Sequence, residues 1–121
     1  MALEDTKSID LVCKGDANTV VLVVTDSLDW SEIKTHLYLL QEKLSSYCTY
    51  VENGQLYADF PAMRDARPVI EHIYFHAPPS ETVGFFDRLG LALDERGILF
   101  KSHVYGEGSE KGAGPEKGAG D

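Results

Sequence analysis

Six apolar residues set the strongest constraint on how this chain can fold. Ile33, Leu37, Leu40, Leu44, Tyr47 and Val51 recur at steps of 4, 3, 4, 3 and 4. That spacing keeps side chains on one face of a helix with 3.6 residues per turn. It predicts a helix of about six turns, ended by Asn53-Gly54 with Gly54 as the left-handed residue. A helix with one apolar stripe has to bury it against a second layer, and the flanking sequence supplies that layer as strands.

In "SIDLVCK", Ile9, Leu11 and Cys13 alternate with Asp10, Val12 and Lys14, the period of a strand. "GDAN" at 15–18 supplies turn chemistry, and "TVVLVVT" follows as a β-branched run apolar on both faces. "VIEHIYFH" at 69–76 alternates Val69, Ile73 and Phe75 with Ile70, His72, Tyr74 and His76. "PPSE" then reads as turn and cap, with Ser80 as N-cap of a helix running to about Arg96 along Val83, Phe86, Leu89 and Leu93. "ILFKSHVY" at 98–105 is the last strand. The order is β-β-α-β-α-β. It predicts an α+β domain: a four-stranded mixed sheet with two helices packed on one face and a right-handed final crossover.

The expected boundaries are a flexible terminus at 1–7, one domain at 8–105 and a Gly-rich acidic tail at 106–121. The tail repeats "SEKGAG" as "PEKGAG" and holds no apolar residue larger than alanine, so it cannot repay the entropy of ordering.

The entry to the long helix, "TDSLDWSEIKTHL" at 25–37, concentrates Asp26, Asp29, Trp30, Glu32 and His36. Asp29 and Glu32 have the spacing of a capping box, with Leu28 and Ile33 as its hydrophobic staple. Asp26 reads as a strand-exit turn, His36 as a partly exposed flank of the stripe, and Trp30 as an anchor of the first turn.

Charge narrows the function classes. Eleven basic against twenty acidic residues leave a net −9, which opposes nucleic acids and anionic membranes. A protein partner or a second copy of the chain suits that surface better. The apolar run "TVVLVV" is far too short for a membrane span. The polar N-terminus has no signal-peptide core, which makes the cytoplasm the expected location. Cys13 and Cys48 lack CxxC spacing and read as reduced thiols.

The motifs of chemistry give no catalytic residue, metal set or cofactor. His72 and His76 are four strand residues apart, about 13 Å, too far to share one metal. His103 could meet either of them only if the last two strands adjoin in a suitable register. There is no G-x-S-x-G elbow and no phosphate-binding glycine loop. Two surfaces stand out instead. With Val20, Leu22 and Val24 facing the core, an outer face is expected to gather Ile70, His72, Tyr74, His76, Lys101, His103 and Tyr105, an apolar strip suited to a partner. The long segment 55–68 is expected to be an ordered loop, with a short strand at 55–58 as one option. Its Tyr57, Asp59, Arg64 and Arg67, with Asp65, are candidates for a pocket.

With "DSLDW" leading into "HLYLLQEKLSSY", then "VENGQLY" and "VIEHIYF", the chain resembles a family of small bacterial proteins of unknown function over roughly residues 9–105. The resemblance implies a single cytoplasmic domain and carries no activity or catalytic residues. Three functional expectations follow: a non-enzymatic accessory domain that self-associates, an acidic inhibitor or immunity-type protein for a basic partner, or a small ligand-binding or enzymatic domain using the 55–68 loop.

Overall fold

A tight turn starts the sheet. Gly15 N–H donates to Thr19 O and Thr19 N–H to Asp16 O, with Ala17 and Asn18 at φ of 52° and 60°. A Cβ on Gly15 would lie 2.3 Å from Thr19 Oγ1 and 2.8 Å from a Val21 methyl, so a larger residue there would push both side chains aside. It joins β1 (Leu11–Lys14) to β2 (Thr19–Asp26), an antiparallel pair as the alternation predicts. The computed structural model describes residues 3–106.

After β2 come α1 (Ile33–Glu52), a five-residue helix α2 (Gln55–Asp59) and a 3₁₀ turn at Pro61–Met63. Then follow β3 (Arg67–Tyr74), a 3₁₀ turn at Ser80–Thr82, α3 (Val83–Glu95) and β4 (Leu99–Val104). The sheet order is β1-β2-β3-β4, with β2, β3 and β4 mutually parallel. This is the expected mixed sheet and α+β class. Two successive right-handed crossovers in one direction place α1 and α3 on the same face.

Pro68 lies inside β3, next to β2, yet breaks no ladder. Odd-numbered residues of β3 bond toward β2, as Arg67 N–H to Asn18 O and Phe75 N–H to Asp26 O show. The nitrogen of Pro68 therefore points toward β4, whose pairing starts only at Val69 with Leu99.

The core lies between sheet and helices: Val20, Leu22, Val24 and Ile70 from the strands meet Leu40, Leu44 and Tyr47 of α1, with Leu56, Leu93 and Ile98. Leu3 is fully buried in the same cluster. Asp5 O and Thr6 O accept from Lys43 Nζ and Ser46 Oγ of α1. The segment from Leu3 onward is thus packed on α1, where composition suggested a flexible terminus. The tail expected from residue 106 lies, past Gly106, outside the described residues.

Three local expectations are corrected. The capping box does not form: Asp29 Oδ1 accepts from Ser31 N–H and Ser31 Oγ, two residues on, and α1 begins only at Ile33. Ser80 makes no cap bond, because a 3₁₀ turn precedes α3. Residues 55–58 are helical, since Gly54 at φ 86° ends α1 and at once starts α2.

Candidate functional site

The register brings three strands' polar residues into one row. On the helix-covered face, Val24 pairs with His72 and His72 with Ser102, while Asp26 ends β2 one step further along. These positions lie toward the carboxyl ends of β2, β3 and β4. In α/β sheets that is where ligands bind. α1 adds His36 from its first turn, and the irregular entry segment adds Trp30.

Asp26 is the hub. Its Oδ2 accepts from His36 Nε2 at 2.6 Å and His72 Nε2 at 2.8 Å, and its Oδ1 accepts from Leu28 N–H at 3.2 Å. All three side chains are at most 2 % exposed. Burial pushes the Asp26 carboxyl up, but the hydrogen bonds from His72 and His36 outweigh it and hold the group below the ordinary carboxylate value.

The hydrogen positions follow from the partners. His36 Nδ1 lies 2.9 Å from Asp29 O, a carbonyl that can only accept, so Nδ1–H donates. His36 Nε2 faces the ionised Asp26, so the proton between them rests on His36 and the pair is imidazolium and carboxylate. Trp30 lies flat on that ring, centroids 3.6 Å apart at 11°, the geometry of a cation over an aromatic face. Its Nε1–H donates to His76 O at 2.8 Å, tying the helix entry to the end of β3.

His72 is set differently. Its Nε2–H donates to Asp26, and its Nδ1 lies 2.8 Å from Ser102 Oγ. With the ring in its Nε2–H tautomer, the Ser102 hydroxyl is the donor of this bond. Phe86 and Phe100 enclose the ring, with centroids 5.8 and 6.4 Å away, so the Nδ1 edge at Ser102 is its one polar outlet. Ser102 itself is exposed. It opens on a cleft of about 620 Å³ between α3 and β4, lined also by Phe86, Asp87, Gly90, Leu91 and Phe100.

The expected outer face is divided. Ile70 and His72 are fully buried on the helix side, and Tyr74 is half-buried there. Lys101 and His103 lie on the open side, where His103 Nε2 meets Glu71 Oε2 at 2.9 Å. Tyr105 stacks on Phe75 at 4.5 Å just past the strands, and His76 is exposed beyond β3. Alternation tells which residues share a face, but with β3 apolar on both sides it does not tell which face the helices take. His103 and His72 consequently point to opposite sides of the sheet.

The loop candidates engage separate partners. Tyr57 Oη donates to Ala66 O, Asp59 accepts from Tyr50 and Gln55, Arg67 reaches Asp94 at 3.7 Å, and Arg64 is exposed. Among the described residues no group of three or more His, Cys, Asp or Glu is arranged to hold a metal ion. No described helix is long and apolar enough to cross a membrane.

Asp26, His36 and Ser102 escape the motif reading because their contacts span 10, 46 and 30 residues. One signal was present: His36, Leu40, Lys43 and Tyr47 recur at steps of 4, 3 and 4, a second stripe holding polar residues. Searches of curated proteins and of solved structures find no match. A family model described as "Family of unknown function (DUF6572)" matches residues 1–106, and the chain belongs to that family.

Proposed function

We propose that this protein is a small hydrolase of acyl esters, with Ser102 as nucleophile and His72 as general base. The observation that supports this most is the continuous hydrogen-bonded series Ser102–His72–Asp26. Packing alone would be served by any partner for His72 Nδ1. An exposed hydroxyl donating to a buried, neutral imidazole is the arrangement that activates a serine. The ring is reversed relative to the familiar triad: here Nδ1 takes the serine proton and Nε2–H binds the carboxylate.

In the first step Ser102 Oγ attacks the acyl carbonyl carbon while its proton passes to His72 Nδ1. The tetrahedral intermediate collapses, the ester C–O bond breaks, and His72 returns that proton to the leaving alkoxide. Water then attacks the acyl-serine and gives a proton to His72. Collapse releases the carboxylic acid and restores Ser102 Oγ–H. Among the described residues, β4 is one of the two edge strands of the sheet. Tyr105 N–H bonds back to Tyr74 O, so alternate groups, the N–H of Ser102 included, point outward, and an edge N–H can serve an oxyanion. Asp26 is shared by two rings and lends His72 less negative charge than an undivided carboxylate would. Turnover is accordingly slow, with base catalysis contributing about 10²-fold, the low end of its range.

A fluorophosphonate probe with mass spectrometry tests this. The expected result is a single adduct on Ser102, absent from Ser102→Ala and His72→Gln, with Ser102→Ala losing no more than about 1 kcal/mol of stability. No adduct, or labelling that survives Ser102→Ala, overturns it.

A second reading concerns partners. Helices cover only one face of the sheet, and the open face carries Val21, Ile73 and Leu99 around Glu71, Lys101 and His103. That apolar strip with charges of both signs supports association with a second copy of the chain. The inhibitor reading rests on the net charge of −9 alone. Two free thiols fit a reducing, cytoplasmic setting.

A further inference from the structure

We infer that the cleft between α3 and β4 binds the uncharged acyl chain of the substrate, and that Gly90 is the residue that keeps it open. The chemistry of this inference rests on the Ser102 reading, whereas the binding stands on separate observations. The cleft walls are Phe86, Gly90, Leu91 and Phe100, and Ser102 sits among them. It is a wide, open depression of about 620 Å³, shaped to take a chain laid along the surface. Leu91 remains 66 % exposed beside it, an apolar side chain with area left to cover.

Gly90 supplies the sharper argument. It lies in the interior of α3, where glycine is unfavourable relative to alanine. A Cβ built on it meets nothing within 4 Å, and its backbone is not in the left-handed region. Neither a close neighbour nor a special conformation calls for glycine there. The space in front of it is the cleft, and a larger side chain would occupy that space. Asp87, the one charged lining residue, disfavours a chain ending in carboxylate. The ligand class is therefore a neutral aliphatic acyl group. The polar, Gly-rich residues 107–121 of this chain offer no such group.

Binding and turnover are measured separately. Ser102→Ala is titrated with methyl octanoate and followed by amide chemical shifts. Shifts at Phe86, Gly90 and Phe100 are expected, and Gly90→Leu in the same background should abolish them. Absence of shifts in Ser102→Ala, or shifts unchanged by Gly90→Leu, overturns the cleft assignment whatever the activity. In the otherwise wild-type chain, Gly90→Leu should lower hydrolysis of p-nitrophenyl octanoate roughly tenfold or more while sparing the acetate ester. An equal effect on both esters also overturns it. Failure of the Ser102 reading is distinct: neither ester is turned over, although methyl octanoate still binds. Gly90→Ala serves as the milder variant, with a raised melting temperature and intermediate selectivity.

Discussion

Asp26 carries more of this structure than any other single residue, because one carboxylate accepts from two imidazoles and a backbone N–H. Replacing it by asparagine turns an amide N–H toward groups that are themselves donors and leaves a charged His36 buried. Breaking a buried pair in this way costs about 3–5 kcal/mol. Its pKa is lowered in the folded state. The contribution is therefore fully present above the unfolded value of about 3.9 and is lost as pH falls through the lower folded value. Urea unfolding of Asp26→Asn and the wild-type chain should show a stability gap near pH 7 that narrows below about pH 4; a gap independent of pH would contradict the ionised assignment. Trp30→Leu removes the stack on His36 and the bond to His76 O, and should cost about 2 kcal/mol by thermal unfolding. A loss near zero would mean that the ring carries no charge. In the sequence Asp26 is indistinguishable from a turn residue and His36 from a partly exposed flank, since neither names its distant partner.

At the scale of elements, α1 shows what periodicity does and does not tell. The stripe of leucines predicts its length and its end at Gly54, and both hold. It misses the phase. Ile33 and Leu37 are only half-buried, while His36 and Lys43 are buried, because each meets a buried carboxylate, Asp26 and Asp10. Lys43 Nζ binds Asp10 Oδ1 at 2.8 Å and Asp5 O at 2.6 Å, and Asp10 also accepts from Thr25 N–H at 3.2 Å. Tyr47, whose phenol is pushed up by burial and so stays a donor, bonds to Val23 O. Lys43→Met should destabilise by about 3–5 kcal/mol, and Lys43→Met with Asp10→Asn should recover part of that loss. Strict additivity of the two in urea unfolding would show that the ion pair is not what holds them. The capping box failed for a related reason: Asp29 closes a shorter turn on Ser31, and its own carbonyl is taken by His36.

Over the whole molecule, the order β-β-α-β-α-β and the one-sided helical layer were legible because crossover handedness leaves few arrangements. The candidate site was not, because it depends on strand order and register. Only with β3 between β2 and β4 do His72 and Ser102 pair directly, with Asp26 one step further along, toward the ends of parallel strands. The same register sends Lys101 and His103 to the uncovered face. Association through that face predicts a dimer by sedimentation that Leu99→Glu dissociates; a wild-type chain that stays monomeric at millimolar concentration would contradict it. Nitrogen chemical shifts of His72 read where the protons of the Ser102–His72–Asp26 series lie. A neutral ring with Nε2 protonated and Nδ1 bare, accepting from Ser102, is the expected result, and a proton on Nδ1 would contradict Ser102 activation by His72.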